Sequence, residues 1–359
     1  LSIAQKRLVP AASASEYQHL FRDCFPETAG TSIETREHYL WKYGPDGKAA
    51  PAFELGAYDD GRMVGYYAAL PLTYHLSGSP RIAGLVCDVM TDPTRRGKGI
   101  FVMQGRYATE EMAKEDIAFV TGYPIRPAVL PGHFKVGWRV AFGLPVYFKL
   151  LDPTTLLAPR GLGSLGPFLR PLCTIYQSLA RGMSPGDDGG VCRQYAPEEF
   201  FALSEYQSFQ KMWSAQYEIC LVRTADFFRW RLHAPDASYR ILALYHGREL
   251  TGVAIVRNST INHLDVTALV DLMILSDRAS AAGPLHREIE AYARQSRTGG
   301  VVIMATRPDA ARWRLYRFGY LKSPIKFQLI LKWLSEAPEP TTFWQPQAWH
   351  LSWADTDNL

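Results

Sequence analysis

The sequence predicts an α/β protein with a mixed sheet, built from two related domains in tandem. Three observations carry this expectation. The chain has 359 residues, too many for one ordinary hydrophobic core. A set of landmarks recurs once, in order, along it. Within each copy, hairpin, strand and helix signals alternate. The composition, 47% hydrophobic and 21% charged, is that of a globular chain and excludes the disordered and fibrous classes.

The repeat begins with His38-Tyr39-Leu40-Trp41-Lys42-Tyr43-Gly44-Pro45-Asp46 and its counterpart from Phe227 through Trp230 to Asp236, each an aromatic-rich helix ahead of a turn. Asp60-Gly61-Arg62 and His246-Gly247-Arg248 follow, each between apolar runs, and predict two hairpins. Leu85–Met90 resembles Leu269–Met273, and Val136-Gly137-Trp138 resembles Phe318-Gly319-Tyr320. The pairs Trp41/Trp230, Gly61/Gly247, Asp88/Asp271 and Gly137/Gly319 all lie 182 to 189 residues apart, a drift that a few short deletions produce. The order expected in each copy is helix, helix, hairpin, strand, helix, strand, helix, strand, with a helix from about Phe101 to Lys114 and a strand over Ile117 to Thr121. The predicted organisation is a first domain over residues 1–151, a linker over 152–190 with one short helix near Cys173 to Ala180, a second domain over 191–335, and a tail over 336–359. Trp344, Trp349 and Trp353 in that tail are costly to leave in water and predict that it docks on the body.

Chemistry concentrates at Asp88-Val89-Met90-Thr91-Asp92-Pro93-Thr94-Arg95-Arg96-Gly97-Lys98-Gly99-Ile100-Phe101. A strand ends near Met90, a turn with proline follows, and a basic, glycine-spaced loop opens into a helix. Backbone N–H groups at a helix N-terminus favour an anion, and glycine lets a phosphate come close to them. The loop is neither the nucleotide-hydrolase nor the dinucleotide-binding glycine motif. The other reading of the residues is a solvated basic turn ahead of a helix.

Arg96-Gly97-Lys98-Gly99-Ile100 resembles the acyl-CoA loop of the GNAT superfamily of N-acetyltransferases, Arg/Gln-x-x-Gly-x-Gly/Ala, with Phe101 where the family carries Gly or Ala. His133-Phe134-Lys135-Val136-Gly137-Trp138 is similar to that family's Tyr-x-x-x-Gly-Phe segment, with His133 in place of Tyr. The resemblance covers about Ile3 to Leu150 and, more faintly, Val191 to Trp333. It implies the acyl-CoA N-acyltransferase fold in two GNAT-like copies, with acetyl-CoA or another acyl-CoA as co-substrate. The implied cofactor contacts are Val89, Met90, Thr91, Arg95, Arg96, Gly97, Lys98, Gly99, Ile100 and Phe101. Asp88 is implied to draw a proton from the amine and His133 to return one to the CoA sulfur; Tyr123, just after the strand expected over Ile117 to Thr121, is the next candidate for that acid. Asp88 also reads as a structural partner of a neighbouring strand or Arg, His133 as an ordinary turn residue, and Cys87 as a packed strand cysteine rather than a nucleophile. Residues 276–285 carry no such loop, so one cofactor per chain is expected, in the first copy.

The expected function is acyl-CoA-dependent N-acetylation of a small-molecule primary amine, such as an amino sugar or biosynthetic intermediate. The alternatives are a longer-chain acyl or aminoacyl transferase, and a binding or scaffold protein without turnover. The net charge of +4 is spread along the chain, so no nucleic-acid partner is expected. The five cysteines form no CxxC pair, so neither a metal site nor a disulfide framework is expected. No apolar stretch is long enough for a bilayer, so the expectation is a cytoplasmic monomer or homodimer without a membrane partner.

Overall fold

The structure is a computed structural model and describes residues 3–157, 161–183, 189–261 and 263–357. Elements run in the order β1 (Ala4–Arg7), α1 (Ala14–Cys24), α2 (Arg36–Tyr43), β2 (Phe53–Asp59), β3 (Arg62–Leu76), β4 (Ser79–Thr91), α3 (Ile100–Lys114), β5 (Ile117–Gly122), α4 (Leu130–Lys135) and β6 (Arg139–Leu150). Next come α5 (Pro153–Leu157), α6 (Gly166–Met183), β7 (Val191–Tyr195), α7 (Pro197–Phe200), α8 (Ser204–Ser214), β8 (Ile219–Leu221) and α9 (Ala225–Arg231). The chain closes with β9 (Tyr239–His246), β10 (Glu249–Ile261), β11 (Leu264–Ile274), α10 (Gly283–Gln295), β12 (Gly300–Met304), α11 (Arg307–Arg312) and β13 (Leu321–Trp333). From β2 to β6 and from β9 to β13 the element order is the same, which is the repeat read from the landmarks.

The chain folds as two compact units that are not its contiguous halves. Unit 1 comprises residues 1–142, 233–237 and 328–345, and unit 2 comprises 143–232, 238–327 and 346–359. The strand order of unit 1 is β1-β2-β3-β4-β5-β13, and that of unit 2 is β6-β12-β11-β10-β9-β7. Each unit thus borrows its last strand from the other copy. In unit 1, Ile330 to Trp333 pair antiparallel with Gly122 to Phe119, and in unit 2, Val146 to Leu150 pair antiparallel with Met304 to Gly300. The expected boundaries at 151 and 335 fall just past β6 and β13, whereas the units divide within those strands, at 142/143 and 327/328, because pairing partners are not encoded in strand propensity.

Segment 152–190 is more than a linker: α6 runs over 18 residues, with Pro171 inside it, rather than the short helix expected. Its inner side packs on unit 2, where the Tyr176 hydroxyl donates to the Gly319 carbonyl and Gln177 Nε2 donates to the carbonyls of Leu150 and Leu151.

In unit 1, Phe53, Leu55, Tyr67, Val86, Met112, Val120, Trp138 and Ile330 form the core between α3 and the sheet. A Cβ at Gly65 of β3 would collide with Gln104 and stand 3.1 Å from Ile100 Cγ2, so glycine there lets α3 seat directly on the strand. In unit 2, Leu242, Val256, Leu269, Leu285, Ile289, Ile303 and Trp313 do the same under α10.

From residue 346 the tail docks in unit 2 through charge as well as apolar surface. Trp349 and Trp353 are buried, and His350 N–H donates to the Ile219 carbonyl of β8. Arg223, fully buried, binds Asp271 Oδ2 at 2.5 Å and Asp355 Oδ2 at 2.6 Å. His350 sits between Asp271, at 3.3 Å, and Asp309, at 3.2 Å. Burial pushes the Asp271 carboxyl up, but Arg223 and His350 outweigh it and hold it far below the usual range. For His350, burial and the Arg223 charge push downward, yet hydrogen bonds to Asp271 and Asp309 leave it raised. Removing one partner from such a network strands a buried charge. Asp355→Ala should lower the stability of unit 2 by about 3–5 kcal/mol in urea unfolding, and a change within about 0.5 kcal/mol would show that the tail is not latched through this pair.

Candidate functional site

β4 and β5 are parallel neighbours only from Ile82/Ile117 to Leu85/Thr121. Beyond that pair β4 runs on to Thr91 while β5 ends at Gly122, so the strands part where β4 approaches the basic loop. On its other side, β4 meets β3 through a bulge, with Ala68 opposite Cys87 and Tyr66 opposite Met90, so β4 carries one extra residue. Asp88 lies in the bulge with φ of +48°, a left-handed conformation that costs a non-glycine residue strain. Parting strands with a bulge beside them expose backbone groups that no ladder uses.

The Asp88 side chain has one oxygen fully engaged. Oδ2 accepts from Tyr17 Oη at 2.8 Å, Lys42 Nζ at 2.9 Å and Tyr43 Oη at 2.5 Å, while among the described residues no hydrogen bond reaches Oδ1. The Lys42 side chain is 6% exposed and that of Asp88 13%. Burial pushes the Asp88 carboxyl up, but the Lys42 charge and the bonds from Tyr43, Lys42 and Tyr17 more than offset it, leaving a firmly ionised carboxylate. A second buried carboxylate supports this cluster: Glu54 accepts from Tyr39 at 2.7 Å, Tyr66 at 2.6 Å and the Ala11 N–H at 2.8 Å. Tyr17 packs on the rings of Tyr39, Tyr43 and Tyr66. Cys87 is buried, with Sγ 3.6 Å from Tyr43 Oη.

After Thr91, Asp92 caps the turn at Pro93–Arg95, accepting from the Thr94 N–H and hydroxyl. Arg96, Gly97, Lys98 and Gly99 are exposed. Gly97 and Gly99 have φ of +78° and +80°, and a Cβ at either would meet no protein atom within 4 Å. Glycine is therefore demanded by the backbone conformation, not by crowding within the chain. Gly99 caps α3 in the left-handed conformation with no side-chain acceptor, so the first N–H groups of the helix turn outward uncapped. Arg95 is committed to Asp59 at 2.8 Å, which leaves Arg96 and Lys98 as the exposed cations of the loop. Ile100 is buried against Ala57 and Val64 and anchors the helix start. Val89, Met90 and Thr91 lie on the end of β4 that runs past its pairing with β5, with Met90 and Thr91 still paired to β3. A groove of about 540 Å³ runs from Gly99 along α3 past Met103, Arg106 and Tyr107 to Lys135 of α4.

The two remaining candidates differ in their surroundings. His133 is 6% exposed, held edge-on between Phe101 and Trp138 at 5.0 and 5.1 Å. Burial lowers its pKa to about 4, so it is a neutral imidazole at pH 7. Phe101, at the family's Gly/Ala position, fills the space beside Gly132 and His133. Tyr123 follows directly on β5 and is buried at the end of the strand that parts from β4. Tyr17, Lys42 and Glu54 were not among the residues expected from sequence. The signal available for Lys42 was the Trp-Lys-Tyr of the first repeat landmark, whereas Tyr17 and Glu54 carried none.

Parting parallel strands, a bulge, and a left-handed glycine at an uncapped helix start occur together within residues that match one domain family. Residues 6–141 match the acetyltransferase (GNAT) domain. This chain contains a GNAT acetyltransferase domain. The class is that of acyl-CoA-dependent acyltransferases, and no curated protein sequence matches the chain. In fold the likeness extends past the GNAT domain into the second copy. A GCN5-related N-acetyltransferase from Anabaena variabilis superposes over 92% of this chain and 73% of its own, with TM-score 0.63 and 14% identity. A probable N-acyltransferase from Enterococcus faecalis covers 93% and 73%, with TM-score 0.65 and 12% identity. Saccharomyces cerevisiae N-myristoyltransferase with bound myristoyl-CoA covers 92% and 78%, with TM-score 0.59 and 12% identity. At these identities the likeness is one of fold.

The environment of His133 fixes the sign of a pH effect. Its imidazole takes a proton near pH 6.5 when unfolded and near 4 when folded, so between those values the unfolded chain binds more protons and stability rises with pH. His133→Phe should remove that contribution, so that the stability difference between pH 7 and pH 4.5 shrinks by roughly 1–3 kcal/mol in urea unfolding. An unchanged difference would show that His133 is solvated rather than enclosed.

Proposed function

We propose that the chain transfers an acyl group from acyl-CoA to the primary amine of a small molecule, with acetyl-CoA as the reference donor. The observation that carries this reading is the parting of β4 from β5 directly ahead of a glycine loop with an uncapped helix start, inside a GNAT domain. The N–H groups of Gly97 to Phe101 bind the pyrophosphate, with Arg96 and Lys98 adding charge. The pantetheine arm lies along Val89, Met90 and Thr91, where backbone N–H groups polarise the thioester carbonyl. The nucleotide end follows the groove beside Arg106 and Lys135.

In the reaction the amine nitrogen bonds to the carbonyl carbon, the C–S bond breaks, and one proton leaves the nitrogen while another reaches the sulfur. Holding both substrates in line is the main contribution. An Asp88 carboxylate this well stabilised does not keep a proton at pH 7. Its Oδ1 instead attracts and orients the acceptor's ammonium group, which releases its proton to solvent before the nitrogen attacks. A neutral imidazole N–H is a far weaker acid than a phenol, whose reference pKa of about 10 lies close to that of a thiol at about 8.5. The low pKa of His133 therefore shifts the acid role to Tyr123. One CoA binds per chain, in unit 1. In unit 2, α10 begins at Gly283 without a left-handed cap, and Gly283 to His286 are buried, in contrast to the exposed loop ahead of α3.

Calorimetric titration with acetyl-CoA should show one site per chain, and Gly99→Val should weaken it at least about tenfold, because the side chain strains the backbone and blocks the N–H groups. Unchanged affinity would remove the cofactor from this loop. With an amine acceptor in hand, Asp88→Asn and Tyr123→Phe should each lower kcat by about 10² to 10⁴ while acetyl-CoA affinity stays within a few-fold. His133→Phe should keep the alkaline limb of the pH profile. Loss of that limb in the His133 variant would return the acid role to the imidazole.

A further inference from the structure

α6 turns an apolar ridge to solvent. Gly166, Cys173, Gln177 and Ala180 face unit 2, while Phe168 is 78% exposed, Leu172 62%, Ile175 57% and Leu179 64%, with Leu165 at 48% just ahead of the helix. The spacing of these five, alternately three and four residues, keeps them on one stripe of an α-helix. Single exposed aliphatics are ordinary, but a continuous ridge over four turns marks an interaction surface.

The charges described beside the ridge are mainly arginines. On α6 itself Arg170 is exposed and ion-paired with Asp152 at 3.3 Å. α6 packs against the turn at Leu315–Phe318, which adds exposed Arg314 and Arg317 beside Tyr316, itself 52% exposed. Apolar ridge, arginine flanks and an exposed tyrosine are the attributes of a helix that lies in the plane of a bilayer, with its side chains among the acyl chains and its cations among anionic headgroups. A second copy fits less well, because pairing two such helices supplies only a few side chains, against about 20–30 residues a side in a stable interface. Among the described residues no helix is long and apolar enough to cross a membrane, and this mode of binding needs none. The expectation of no membrane partner rested on the lack of a spanning segment and does not bear on a helix lying in the interface.

We propose that α6 docks the protein on an anionic lipid surface through Leu165, Phe168, Leu172, Ile175 and Leu179. The test is co-sedimentation of the full chain with vesicles of phosphatidylcholine alone and of phosphatidylcholine with phosphatidylglycerol. Binding is expected to the anionic vesicles, to weaken with added salt, and to fall at least about tenfold in the pair Leu172→Glu, Ile175→Glu. The milder pair Leu172→Ala, Ile175→Ala preserves helix propensity and should give an intermediate loss. Both pairs should keep the wild-type circular dichroism spectrum and acetyl-CoA affinity, since the side chains are exposed and lie outside the cofactor site. Failure of the wild-type chain to bind anionic vesicles, or binding untouched by either pair, overturns the proposal. So does a wild-type dimer in light scattering that the same substitutions convert to monomer, which would assign the ridge to a second copy.

Discussion

A carboxylate removed from water keeps its charge only beside a cation or several donors, and the first unit is arranged around that requirement at Asp88. The bulge that puts Asp88 in a left-handed conformation interrupts the ladder between β3 and β4, and it does so where β4 also loses β5. Strain and unpaired backbone at one point need compensation from outside the sheet. It comes from α1 through Tyr17 and from α2 through Lys42 and Tyr43. Glu54 then holds Tyr39 and Tyr66 in place beneath the same rings. The helices are fastened to the sheet through Asp88, so the candidate site and the packing of α1 and α2 are one structure.

The second unit meets the same requirement differently. Asp271 also stands next to an irregularity, here between β10 and β11, where Ile255 pairs with Asp271 and Val256 with Leu269. Its cation is Arg223, with His350, and the remaining space is taken by the tail that brings His350, Ser352 and Asp355. Asp271 is fully buried, whereas Asp88 stays partly accessible. Each unit thus holds an aspartate at an irregular point of a central strand and uses it differently: Asp88 stays partly accessible, and Asp271 anchors the chain end.

The sequence made legible whatever depends on local pattern or on exact spacing. The two hairpins lie where Gly61 and Gly247 supply positive φ, and α3 begins one residue before the expected Phe101, because the glycine loop fixes its start. Asp88 and Tyr123 were legible together because they lie along adjacent parallel strands, three and two residues past the last pair, Leu85 and Thr121. What depended on partners distant in sequence was hidden. Tyr17 meets Asp88 across 71 residues and Arg223 meets Asp355 across 132, and no local signal marks either end. The exchange of final strands was hidden for the same reason, since β6 and β13 satisfy strand propensity equally well in either unit. α6 was underestimated because its prolines and glycines read as linker, although Pro167 and Gly166 stand at its first turn, where they are tolerated.

The state of His133 shows why a motif position does not carry a role by itself. At the family's tyrosine position, an imidazole that could reach solvent would titrate near 6.5 and be a competent acid around neutrality. Here Phe101 and Trp138 enclose it, and their enclosure is what drives the pKa to about 4. The two departures from the family pattern, Phe101 in the loop and His133 in the downstream segment, are linked by contact, since the Phe101 ring packs on the imidazole. An imidazole so enclosed stays neutral at pH 7 and is a weak acid. In the proposed reaction the sulfur's proton is therefore assigned to Tyr123, at the end of the strand that parts from β4.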